Sequence, residues 1–133
     1  MFQENNKAIY LQIAERVHDD VLSGALRPGQ RLPSVREYAA AVQVNPNTVM
    51  RTYELLSRDG IIVNRRGIGF FLTDEAPDII RDLRVARLMD TELPALFRRL
   101  ALLGVTPAEL SASYNKYLSS FTSNDSYQQS HEQ

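Results

Sequence analysis

Three residues, Gln43-Val44-Asn45, separate two short amphipathic segments, and this spacing constrains the fold more than any other feature of the chain. Before the break, Val35, Tyr38, Ala39 and Val42 share one face of a helix over about 35–42. Ser34 and Glu37 have the spacing of a reciprocal N-terminal cap for it. After the break, Asn45 reads as an N-cap and Pro46 as the first helical residue. The helix that follows runs to about Arg58, with Val49, Tyr53 and Leu56 inward and Gly60 at its end. Two helices joined by about three residues have the connection of a helix-turn-helix.

The flanking segments extend the pattern. Tyr10, Ile13, Ala14, Val17 and Val21 mark an amphipathic helix over about 8–23, closed by Gly24. Arg27-Pro28-Gly29-Gln30 is a turn. Beyond the third helix the period changes. Ile61-Ile62-Val63 and Phe70-Phe71-Leu72-Thr73 read as strands around the turn Arg65–Gly69, a β-hairpin. The order helix, helix, short turn, helix, hairpin describes a winged helix-turn-helix, here assigned to residues 1–74. It offers a helix to the DNA major groove and a loop to the minor groove or backbone.

Residues 75–121 form a second, helical module. Residues 78–103 are helical by pattern, and Pro94 either kinks that helix or marks a new start at Thr91 or Leu93. Gly104 closes the segment, and Thr106-Pro107-Ala108-Glu109 is a second capping box. Leu110, Tyr114, Tyr117, Leu118 and Phe121 then form an apolar stripe over about 107–121. The polar run 122–133 is expected to be disordered. The fold class is therefore mainly α with one small hairpin. Residues 78–121 carry more large apolar side chains than so few helices can bury alone, which favours self-association. The alternative is that they fold back on the winged helix. For dimerisation the candidates are Leu83, Leu88, Leu96, Phe97, Leu100, Leu110, Tyr114, Tyr117, Leu118 and Phe121.

Charge separates the function classes. The 133-residue chain has a net charge of −1, which on its face argues against a nucleic-acid binder. Its distribution reverses that argument. Residues 27–66 hold seven arginines against Glu37, Glu54 and Asp59, net +4, while residues 1–26 sum to −2 and residues 67–133 to −3. The planar guanidinium suits phosphate and guanine edges. Asn47, Thr48 and Arg51, early on the third helix, are placed for base edges and phosphate. Arg36 is placed for phosphate, and Arg65 and Arg66 sit at the wing, where Gly67 and Gly69 permit close backbone approach. Each has a plainer reading: Asn47 and Thr48 as helix-start residues, Arg51 as a solvated cation. Arg58 suits the helix C-terminus, Arg27 and Arg31 flank a turn, Tyr38 and Tyr53 fall at packing positions, and His18 reads as a surface residue.

Enzymatic chemistry has little to work with. There is no Cys, the two histidines are isolated, and no carboxylate pair or phosphate-binding loop follows a strand, so no catalytic residue, metal or cofactor is expected. No apolar run is long enough to span a bilayer and the N-terminus has no signal-peptide core, so a cytoplasmic protein is expected.

The runs Ile9-Tyr10-Leu11-Gln12-Ile13-Ala14, Gly24 through Glu37, Asn45 through Tyr53, and Leu56…Asp59-Gly60, with Arg66-Gly67-Ile68-Gly69, resemble the N-terminal domain of GntR-family bacterial transcription regulators. The Asn-Pro-Asn-Thr-Val version with a short helical C-terminal part resembles the YtrA-like subgroup. The resemblance implies a homodimeric regulator, a repressor, on double-stranded DNA with a palindromic operator. It points to Arg36, Asn47, Thr48, Arg51 and the Gly67–Gly69 wing as DNA contacts, and leaves a small-molecule effector unassigned. Where many family members place arginines in the recognition helix, this chain has Pro46 and Met50. A winged helix used for protein assembly without DNA binding is the alternative.

Overall fold

A computed structural model describes residues 7–131, with side chains described through residue 122. The elements are α1 (Ile9–Leu22), α2 (Val35–Val42), α3 (Pro46–Arg58), β1 (Ile62–Arg65), β2 (Gly69–Leu72), α4 (Ala76–Arg87), a π-helical turn (Leu88–Glu92), α5 (Leu93–Leu102) and α6 (Pro107–His131). They divide into two compact units, the first ending at Ala86 and the second beginning at Arg87.

The first unit is a winged helix-turn-helix with a well-packed core. Ile13, Ala14, Val17 and Val21 of α1 meet Ala39 of α2 and Val49, Tyr53 and Leu56 of α3, with Leu32, Ile61, Ile62 and Leu72 closing the hairpin side. The α2–α3 turn works because Gln43 adopts a left-handed conformation, φ +57°, letting the Val44 N–H donate back to the Ala39 carbonyl. The Ser34 side chain caps α2 by accepting from the Glu37 N–H at 3.1 Å, and the Asn45 side chain caps α3 by accepting from the Asn47 N–H at 2.8 Å. At the end of α3 the Gly60 N–H reaches the Ser57 carbonyl and the Ile61 N–H reaches Leu56, a Schellman close with Gly60 at φ +81°.

The hairpin departs slightly from expectation. Arg65 pairs with Gly69, so both belong to the strands and only Arg66-Gly67-Ile68 forms the loop. Gly67, at φ +78°, supplies the positive φ such a turn needs while the Ile68 N–H closes on the Arg65 carbonyl. The second half of the expected turn 27–30, with Arg31 and Leu32 after it, extends the sheet. Leu32 donates to Phe70, Leu72 donates to Gln30, and Gly29 donates to Leu72.

Helix α4 starts two residues earlier than its apolar pattern suggests. Its first turns also belong to the first unit rather than to a C-terminal module: Ala76 and Ile80 are fully buried in the winged-helix core, and Ile79 packs beside them against Gly60. The first unit therefore extends well past the expected boundary at residue 74. Arg84 ties α4 to α1, donating to the Asp19 carboxylate at 2.7 Å and to the Glu15 carbonyl at 3.3 Å.

In the second unit, Pro94 sits at the second position of α5, directly after the π-helical turn and with no break in the helical backbone. The Leu93 N–H donates to the Leu88 carbonyl, five residues back. Widening the turn accommodates a ring that would otherwise clash with the carbonyl four residues earlier and absorbs the loss of the Pro94 N–H. Helix α5 ends in a Schellman close at Gly104, and Thr106 and Glu109 cap α6 reciprocally, at 3.2 and 3.3 Å. Helix α6 continues to His131, about ten residues beyond the end of its apolar stripe. The run expected to be disordered therefore carries helix as far as His131, and residues 132–133 lie outside the described residues. Neither Gly nor Pro follows Pro107, so an established helix can add one hydrogen bond per residue.

Candidate nucleic-acid interface

Helix α3 is divided sharply between two faces. Val49, Thr52, Tyr53 and Leu56 are buried, whereas Asn47, Met50, Arg51, Glu54 and Arg58 are exposed. The buried face is fixed by two polar ties besides its apolar packing. The Tyr53 hydroxyl donates to the Pro33 carbonyl, and the Tyr53 ring meets Phe70 edge-on at 5.0 Å. The Thr52 hydroxyl, fully buried, donates to the Tyr10 carbonyl at 2.8 Å. Burial, followed by the neighbouring Tyr38 and Glu37, pushes the Tyr53 phenol pKa above its ordinary value. Tyr38 and Tyr53 are thus packing residues, as their spacing indicates.

Asn47, Thr48 and Arg51 come together. With Ala8, Ile9 and Tyr10 they line one shallow pocket where the starts of α1 and α3 meet. The Arg51 guanidinium lies over the Tyr10 ring, 3.9 Å from its centroid. Arg36 is exposed in the first turn of α2. At the wing, Arg65, Arg66 and Gly67 are exposed, and the Arg65 guanidinium rests 4.7 Å from the Phe71 centroid.

Gly69 has a close approach, but an internal one. At φ +140°, a Cβ here would stand 2.7 Å from Arg31 Nε. Arg31, read from sequence as a turn-flanking cation, therefore lies across the base of the wing. The sequence carries only one alternating pair here, outward Arg31 and buried Leu32, before Pro33 ends it. Tyr10 was also missed, since its spacing assigns it to the buried stripe of α1, whereas it lies half-exposed at the edge of that stripe beneath Arg51.

His18 is not a surface residue. It is half-buried, and its Nε2 is buried without a hydrogen-bond partner. Desolvation, then the nearby Arg84 charge, lowers its pKa, while Asp59, Glu15 and Asp19 oppose that shift more weakly. Among the described residues no cluster of His, Asp and Glu could hold a metal ion. No helix among them is long and apolar enough to cross a membrane.

A sequence model described as "Bacterial regulatory proteins, gntR family" matches residues 9–72, all of the helices and strands built around this face. The chain is also 39% identical over 107 residues to the uncharacterized HTH-type transcriptional regulator YhcF of Bacillus subtilis, covering 80% of this chain and 87% of that one. The chain belongs to the GntR family. As a GntR-family protein it is a DNA-binding transcription regulator and not an enzyme. It is 44% identical over 68 residues to the HTH-type transcriptional repressor YtrA of the same organism, covering 51% of this chain and 52% of YtrA. A solved GntR-family putative transcriptional regulator from Bacteroides thetaiotaomicron superposes with a TM-score of 0.75 at 44% identity, covering 84% of this chain and 97% of that one. That coverage reaches beyond the winged helix into the second unit.

Proposed function

We propose that this GntR-family chain is a homodimeric repressor that reads a palindromic operator through α3 and the wing. One observation carries the DNA-reading part: Asn47, Thr48 and Arg51 converge at the open end of a helix whose opposite face is wholly buried. In this reading Asn47 pairs a base edge, Thr48 bonds phosphate or meets a thymine methyl, and Arg51 pairs a guanine edge. Arg36, Arg65 and Arg66 neutralise backbone phosphates, and Gly67 keeps the wing tip slim. Gly69 acts by shaping the wing beneath Arg31 rather than by touching DNA itself.

Dimerisation is supported by the second unit. None of its described side chains, residues 87–122, is buried. Leu88, Leu96, Phe97, Tyr114, Tyr117, Leu118 and Phe121 are all exposed, as is Leu83 on α4, while Leu100 and Leu110 are half-covered at the α5–α6 corner. Helices with so much apolar surface and no core of their own suit isologous packing against a second copy. Repression follows the YtrA relative's description.

Selection of duplexes from a random pool, followed by affinity measurement, tests the reading. Arg51→Ala should weaken the selected duplex at least tenfold and a shuffled duplex much less. Equal losses on both would make Arg51 a phosphate contact, and no enrichment at low salt would favour the assembly-module alternative.

A further inference from the structure

Arg51 presents an unusual combination. Its guanidinium carbon lies over the Tyr10 ring, 3.9 Å from the centroid. Among the described residues no hydrogen bond or ion pair engages its N–H edge, so all five donors remain available. A guanidinium held against a ring with its donors open is prepared for bidentate pairing. The side-chain entropy that such a contact ordinarily costs has been reduced before any ligand arrives.

The main chain of Tyr10 is anchored. Its carbonyl accepts the buried Thr52 hydroxyl at 2.8 Å, and Thr52 is the next residue after Arg51 on α3. The main chain that carries the ring is thus tied to the helix that carries Arg51. The Tyr10 ring also forms a wall of the pocket that Asn47 and Thr48 line.

We propose that Tyr10 is a positioning residue for DNA recognition: its ring holds the Arg51 guanidinium in one orientation, so that base discrimination through Arg51 depends on an aromatic residue of α1. The proposal rests on the reading of Arg51 as a base contact. Tyr10 acts through Arg51 and need not touch DNA.

The probe is a duplex enriched from a random pool by the wild-type protein, compared with its shuffled counterpart at equal salt. Tyr10→Leu should weaken the enriched duplex about threefold to fivefold, the scale of one exposed cation–π contact, and leave the shuffled duplex nearly unchanged. Tyr10→Phe, which keeps the ring, should match wild type. In an Arg51→Ala background, Tyr10→Leu should have no further effect. Arg51→Lys, which keeps the charge but not the plane, should lose selectivity with a folded core untouched, which covers the case that Tyr10→Leu folds poorly. The proposal is overturned if Tyr10→Leu costs as much without Arg51 as with it, if Tyr10→Phe behaves like Tyr10→Leu, or if both duplexes weaken equally. If Arg51→Ala leaves the enriched duplex unaffected, the base-contact reading itself fails and the proposal with it.

Discussion

The Tyr53 hydroxyl donates a 2.6 Å hydrogen bond to the carbonyl of Pro33, joining the middle of α3 to the residue that leads into α2. The crossing of the two helices is therefore held by a polar tie as well as by packing, and Tyr53 is 1% exposed. Tyr53→Phe leaves that carbonyl without its partner. The variant should lose about 1–3 kcal/mol of stability, measured by urea denaturation, while its circular dichroism stays native.

His18 makes stability depend on pH in a definite direction. The fold favours the neutral imidazole, so the folded pKa lies below the ordinary 6.5. Its contribution is complete above that pH and is lost as the pH falls below it. Wild-type stability should decline more steeply from pH 7 to pH 5 than that of His18→Leu, which has no imidazole to charge. Parallel declines in the two proteins would show that carboxylates alone set the acid limit.

Gly69 combines a backbone problem with a steric one. Its φ of +140° disfavours any L side chain, and a Cβ would meet Arg31 Nε at 2.7 Å. Gly69→Ala should cost about 1–3 kcal/mol. Adding Arg31→Ala should recover the steric share and no more, because the strained φ remains. Full recovery in the double variant would mean that backbone conformation contributes nothing.

Exposed apolar side chains on the second unit give the dimer reading its own test. Phe97 is 46% exposed and Tyr117 63%. Phe97→Glu combined with Tyr117→Ser should halve the solution mass in sedimentation equilibrium while thermal unfolding of the winged helix remains cooperative. Retention of the full dimer mass would place the interface elsewhere.

Elements with a local chemical signature were legible in the sequence. Ser34, Asn45 and Thr106 all cap the helices their spacing indicates, and Gly60 and Gly104 close α3 and α5. Features that depend on partners distant in sequence were not legible. Residues 29–32 have too short an alternation, ending at Pro33, to announce pairing with β2. Ile79 and Ile80 are apolar whichever core receives them, and only tertiary packing sends them to the winged helix. His18 stands beside Asp19 and Asp20 in sequence, which suggests a solvated face, yet its Nε2 is buried without a hydrogen-bond partner. At the candidate interface, the grouping of Asn47, Thr48 and Arg51 followed from helical spacing. The roles of Tyr10 and Arg31 did not, because each depends on an element far away in the chain.

The placement of Ala76 and Ile80 decides where this protein can be cut. A fragment ending at Leu72, the last residue matched by the family's sequence model, would leave two holes in the hydrophobic interior and uncover Gly60 and its neighbours. Losing the buried isoleucine alone forfeits about 2–4 kcal/mol, a large share of what a domain this small possesses. A fragment ending at Ala86 keeps both residues and the Arg84 tie to α1. Limited proteolysis should accordingly trim the chain back to that neighbourhood and stall there, leaving a DNA reader that survives without its helical partner unit.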